Sequence, residues 1–174
     1  VRIDSLQADL YNNPLVWSLA KNGEFSTHLF DAQRNGKGHD YFDAQEHQWI
    51  DHNHLISRGI DHPIPALLQA VWEQYPKSFS IVIKSGAHFK YSSSYPADYQ
   101  FQTEWMNHPY IAANEHRKEY LTAMNYKTTR FFNELNKLSS KERVVILYTS
   151  DHGQNLFDHP GLTHCSSSQP NPEE

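Results

Sequence analysis

The sequence predicts an α/β domain with a largely parallel sheet, and three observations carry that prediction. Strand and helix patterns alternate along the chain. Two apolar runs, 79–84 and 144–149, each end in a small-residue turn that leads to a histidine. A helix-length amphipathic stretch separates them. Open α/β sheets gather their active sites at the carboxyl ends of the strands, so both turns are places to look for chemistry.

Taken in order, Asn13-Pro14 opens an amphipathic stretch through Trp17, Leu19 and Ala20 that stops at Asn22-Gly23, a helix with proline near its start and glycine at its stop. Residues 25–30 read as a short alternating strand. Residues 31–61 are polar, histidine-rich and interrupted by glycines, which predicts a long surface excursion with one short helix over 44–49. Within it Asp51-His52-Asn53-His54 reads as solvated turn chemistry rather than a metal site. Pro63-Ile64-Pro65 starts a helix that continues to Tyr75-Pro76, and Phe79-Ser80-Ile81-Val82-Ile83-Lys84 follows as a buried strand ending in Ser85-Gly86-Ala87-His88.

Over residues 115–138, Leu121, Met124, Thr128, Phe131, Phe132, Leu135 and Leu138 keep helical spacing with charges between them, the pattern of a helix packed on a sheet. The run Val144-Val145-Ile146-Leu147-Tyr148-Thr149 reads as a buried strand that delivers Ser150-Asp151-His152-Gly153, with His164 beyond. Carboxylate oxygen and neutral imidazole nitrogen are ligands that Zn²⁺ prefers, so Asp151 and His152 are candidate metal ligands. Gly153 lets the backbone turn close to an ion or phosphate.

Length and composition bound the function classes. With 174 residues, 38% hydrophobic and 13% aromatic, the chain can bury one sizeable core and reads as one domain or most of one. It begins with Val and shows neither a signal peptide nor a membrane-length apolar run, and it is expected to be a piece of a longer protein. A net charge of -5, with 15 basic residues scattered among 20 acidic ones, argues against a nucleic-acid partner. Cys165 has no cysteine partner within the chain and no base or oxyanion site arranged around it, so it reads as a stray thiol or a replaceable small residue. His28, His39, His47, His62, His108, His116 and His159 carry no individual signal.

Ser-Asp-His-Gly after an apolar strand, with a histidine twelve positions beyond the first, resembles the alkaline phosphatase superfamily. Within it the chain is most similar to the sulfatase-domain phosphoethanolamine transferases. Their earlier strand ends in Gly-x-His-Gly-Pro before a Tyr-rich stretch, and Ser85-Gly86-Ala87-His88-Phe89-Lys90-Tyr91 running to Tyr95-Pro96 is similar, without the Gly-Pro. Tyr120 and Tyr126 match part of a Tyr-Asp-Asn-x-x-x-Tyr pattern, with Leu121 and Thr122 in place of the acid and the amide. Residues 12–31, with Leu15, Leu19, Gly23 and Phe30-Asp31, resemble the family's first helix and strand.

The resemblance implies a three-layer αβα sandwich with a mainly parallel central sheet, of which residues 1–174 form a partial catalytic domain. It implies one Zn²⁺, or two, with Asp151 and His152 as ligands, and a further acidic ligand and a threonine nucleophile supplied from upstream of Val1. His88 and His164 would face the substrate phosphate as catalytic groups, stabilising its charge, protonating a leaving group, or binding the second Zn²⁺ when one is present. The implied reaction passes phosphoethanolamine from a phospholipid donor to a glycan or lipid A acceptor through a covalent phospho-enzyme. The implied setting is the bacterial inner membrane, reached through a missing amino-terminal region, with the catalytic domain periplasmic and the present chain inactive by itself. Two alternatives stay open: a sulfatase, phosphatase or phosphodiesterase of the same superfamily, and a non-catalytic zinc-binding domain.

Overall fold

A computed structural model describes residues 16–33, 42, 44–88, 90–139 and 143–150. They divide into two compact units, one built from the chain up to Gly86 together with the segment from Thr129, the other from Ala87 to Thr128 together with 143–150.

The first unit begins with helix α1, Val16–Asn22. The glycine stop works here by sterics. A Cβ on Gly23 would lie 3.1 Å from the Phe25 ring and 3.3 Å from the Ala20 carbonyl oxygen, whereas the left-handed residue of the turn is Glu24, at φ 60°. Strand β1, Ser26–Asp31, follows, and every residue from Thr27 to Asp31 is buried. The expected alternation is absent because β1 is the central strand and both its faces are covered. Helix α2, Ala44–His47, falls inside the short helix expected over 44–49.

Strand β2, His52–Leu55, stands where solvated turn was expected. Histidine and asparagine have little strand preference of their own, but parallel pairing with β1, His28 opposite His52 and Phe30 opposite His54, outweighs it. Helix α3, Ile64–Gln74, has Pro63 at its N-cap and Pro65 in its first turn and ends where the Tyr75 amide donates to the Val71 carbonyl at 2.7 Å. Strand β3, Ser78–Ile83, pairs in parallel with β1, giving the order β2-β1-β3. Its residues are half-buried rather than buried, as suits an edge strand.

Helices cover both faces of this sheet. Thr27, Leu29 and Phe79 share one face, where the buried Trp17 of α1 meets the Phe79 ring edge-on at 5.5 Å. Phe30 and Val82 share the other, packed with Ile64, Leu68 and Val71 of α3 and with Phe131 and Leu135 of helix α6, Arg130–Ser139. Burying each such side chain contributes about 1.5–3 kcal/mol. The result is the helix–sheet–helix layering of an α/β fold.

The second unit contains two 3₁₀ turns, Tyr91–Ser94 and Glu104–Asn107, and helices α4, Pro109–Ala112, and α5, Glu115–Met124. Asn114 caps α5 by accepting from the Arg117 amide at 3.2 Å. A π turn, Asn125–Thr129, joins α5 to α6, so the expected helix over 115–138 is present with one wide turn in its middle.

Residues 143–150 form no strand. They pair with no other strand among the described residues, and Val145 and Leu147 are 88% and 94% exposed. The apolar, β-branched composition of this run predicted a buried strand, but a strand exists only when a ladder partner satisfies its backbone.

Candidate functional site

The carboxyl end of the sheet is held together by a dense set of polar contacts. The Ala32 amide donates to the Ile83 carbonyl at 2.8 Å, and Gln33 Nε2 donates to the Lys84 carbonyl at 2.7 Å, so the exits of β1 and β3 are tied. The loop before α3 joins them: the Gly59 amide donates to the Ala32 carbonyl at 2.9 Å, with Gly59 itself at φ 79°. From the same loop comes Asp61, 4% exposed. Its Oδ1 accepts the Ser85 amide at 2.8 Å, and its Oδ2 accepts the Gly86 amide at 3.1 Å and Lys84 Nζ at 3.3 Å. Lys84 Nζ also lies 3.8 Å from the centre of the Phe131 ring, so its charge is matched by a carboxylate and an aromatic face together.

His88 leaves this turn two residues after Gly86 and is exposed, with its carbonyl accepting Ser94 Oγ at 3.1 Å. The other expected site residues, Asp151, His152 and His164, lie outside the described residues, as does Cys165. The donor chemistry of Asp151 and His152 suits Zn²⁺, while among the described residues no group of three or more ligating side chains could hold a metal ion.

Two of the tyrosines that carry the resemblance, Tyr91 and Tyr120, meet. Tyr91, fully buried, packs its ring 4.9 Å from His116 and 5.1 Å from Tyr120. Burial, reinforced by the neighbouring Tyr120, pushes the Tyr91 hydroxyl up to about 12, so it stays protonated at any physiological pH. Tyr126 packs against Tyr99 at 4.8 Å, and the Tyr99 hydroxyl donates to Asn125 Oδ1 in the π turn.

A second cluster, unassigned by sequence, lies between β1 and β2. His28 is fully buried; its Nδ1 is 3.1 Å from His54 Nε2, its ring stacks on His52 at 4.6 Å, and Tyr75 meets it edge-on at 4.8 Å. Its Nε2 finds no hydrogen-bond partner among the described residues. Burial and the neighbouring imidazoles His52 and His54 lower the His28 pKa to about 4, against a weaker opposing pull from Asp51. Residues 28, 52 and 54 belong to two segments whose pairing only the register reveals. Asp61 and Lys84 were likewise invisible in sequence, being ordinary loop and strand-end residues until the turn brings them together.

No curated protein and no solved structure is significantly similar to the chain. A family model described as Sulfatase matches residues 14–174, which takes in the sheet, the Asp61 turn and the Ser150-Asp151-His152-Gly153 segment. With an α/β fold of parallel strands behind that match, the chain belongs to the sulfatase family of the alkaline phosphatase superfamily.

Proposed function

We propose that this chain is the greater part of a catalytic domain that transfers phosphoethanolamine from a phospholipid to a cell-envelope glycan or lipid A. Membership of the sulfatase family supports a hydrolase or transferase of the superfamily. The observation that carries the finer reading is the run after β3: His88 is followed by the buried Tyr91 and by Tyr95-Pro96, and Tyr91 meets Tyr120. This Tyr-rich continuation is the feature that resembles the phosphoethanolamine transferases.

The first step forms a bond between a threonine Oγ, expected from an upstream segment, and the donor phosphorus, the threonine proton passing to an imidazole. It breaks the phosphorus–oxygen bond to diacylglycerol, whose oxygen takes a proton from an imidazole. In the second step an acceptor hydroxyl gives its proton to an imidazole and bonds to the phosphorus, while the Oγ–phosphorus bond breaks and the threonine takes a proton back. His88 and His164 would hold charge on the transferring group and move these protons, as imidazoles serve in general acid–base catalysis. Asp151 and His152 would hold Zn²⁺, which when bound supplies Lewis-acid stabilisation of the phosphoryl oxygens. The proposed setting is a periplasmic face of the bacterial inner membrane, although no helix of the described residues is long and apolar enough to cross a membrane.

The family's own description favours a second reading, hydrolysis of a sulfate or phosphate ester at the same site. Elemental analysis of the complete protein and of its Asp151→Ala variant, paired with turnover of a phosphatidylethanolamine analogue, separates them. Stoichiometric zinc lost in the variant, with head-group release by the wild type, is the expected result. Zinc without release moves the assignment to ester hydrolysis or to a binding domain, and absence of zinc removes the metal site.

A further inference from the structure

We propose that the stacked imidazoles of His28, His52 and His54 form an acid-sensitive clasp that holds strand β2 on β1, and that protonating it frees residues 52–55 while β1 and β3 stay paired. The clasp works in the same way whether the complete protein transfers or hydrolyses.

Strand β2 is a short edge in the order β2-β1-β3, and two of its side chains, Asn53 and Leu55, are exposed. The other two are imidazoles, so no aliphatic side chain of β2 enters the core and the stack stands where one would. The His28 ring lies 4.6 Å from His52 and 5.4 Å from His54, and His54 covers the Phe30 ring at 4.1 Å. Both ends of the strand are held by other means. Before it, Lys21 engages both Asp51 oxygens at 2.8 Å; after it, the buried Ile56 joins the core cluster of Phe30, Ile64 and Leu68. Strand β2 can therefore lift between two fixed points, uncovering Phe30 and one edge of β1, as weakly packed segments open before the whole fold does.

The chemistry of the stack makes protons the trigger. His28 Nδ1 lies 3.1 Å from His54 Nε2, a gap bridged by one N–H donating to one lone pair. With a proton on each of these nitrogens, two N–H groups face one another and the bond is lost. The groups that face His28 are His52 and His54 on β2, Tyr75 at the end of α3 and Ser80 opposite it on β3, and none is a carboxylate. Both His28 Nε2 and Ser80 Oγ are buried with no hydrogen-bond partner among the described residues. Asp51, whose charge does act on His28, is engaged by Lys21. Against its own burial, Lys21 and Thr27 hold its carboxyl below the usual range, so this tie persists while the stack is titrated. A charge on the buried His28 is left uncompensated, and it is carried at less cost once β2 has lifted and water reaches the ring.

Amide exchange of the complete protein at pH 7 and pH 5, in low urea and without it, tests the clasp, with rates corrected for intrinsic exchange and residues 78–83 of β3 as the reference. Burial, with His52 and His54 beside it, holds the clasped His28 at a pKa of about 4, whereas the freed ring returns to 6.5. The opening constant at 52–55 is therefore expected to rise about 20-fold from pH 7 to pH 5. It is also expected to depend less on urea than the opening at 78–83, the mark of a local release that exposes little surface. His28→Phe is expected to abolish the rise, and His52→Phe, at a half-buried position, to shrink it. Three results overturn the proposal: an opening constant at 52–55 unchanged by pH, the same urea dependence at 52–55 as at 78–83, or a rise that His28→Phe leaves intact. Should His28→Phe fail to fold, an undiminished rise in His52→Phe overturns it instead.

Discussion

His28 shows what a single residue can impose on this fold. Its imidazole sits fully buried on the central strand, stacked against His52 and 3.1 Å from His54, and its pKa falls from the ordinary 6.5 to about 4. The unfolded chain therefore binds a proton that the folded chain refuses anywhere between those two values. Stability is intact above pH 6.5, declines as the pH falls through the window, and stops declining for this residue below about pH 4. The full effect is at most about 3 kcal/mol. His54 is lowered too, by burial first and then by His52, so it acts in the same direction. His28→Phe keeps a ring in the stack and is expected to flatten the loss of stability between pH 7 and pH 5, measured by urea unfolding at each pH. An unchanged slope would assign the acid sensitivity to another group. None of this was legible in the sequence, where His28 is one histidine among 12, because its character comes from two neighbours more than 20 positions away.

At the scale of the element, legibility followed periodicity. Helices α1, α3, α5 and α6, and strands β1 and β3, were readable because apolar spacing, prolines and glycine stops act locally. Strand β2 was not, since nothing in His-Asn-His-Leu favours a strand until β1 offers its edge. What secures its entry is a side-chain latch. Thr27 Oγ1 donates to the Trp49 carbonyl at 2.7 Å and accepts from the Asp51 amide at 3.0 Å. The Asp51 carboxylate in turn accepts the Thr27 amide at 3.0 Å and both oxygens engage Lys21 at 2.8 Å. Burial works against ionising Asp51, but Lys21 and Thr27 prevail and hold its carboxyl below the usual range. Thr27→Val keeps the shape and removes the hydroxyl, stranding a carbonyl and an amide. It is expected to cost about 1–3 kcal/mol. Thermal unfolding would measure the loss, and proteolysis within 48–55 should accelerate beforehand; a variant as stable and as resistant as the wild type would mean the latch is incidental.

For the whole molecule, the three parallel strands and the helices that cover them form the kind of sheet at whose strand ends α/β enzymes keep their chemistry, and the family match is consistent with that architecture. Of the candidate site residues, the described structure contains His88, after the β3 turn. The other candidates are expected from the sequence Ser150-Asp151-His152-Gly153 and from His164. The strand expected to deliver them has no ladder partner among the described residues, because apolar composition states a preference and only a neighbouring edge fulfils it. His152 and His164 are expected to differ in kind. His152, adjacent to Asp151, is expected to supply a ligand, so His152→Ala should lose zinc stoichiometry in the complete protein along with turnover. His164 is expected to face the phosphate instead, so His164→Ala should retain zinc while kcat falls about 100- to 10,000-fold, the range in which general acid–base catalysis contributes. Cys165→Ser, one residue further along, serves as the control and should keep both. Zinc retained by His152→Ala would break the ligand assignment. Zinc lost by His164→Ala would instead make that residue a ligand, and the proton transfers would then fall to His88.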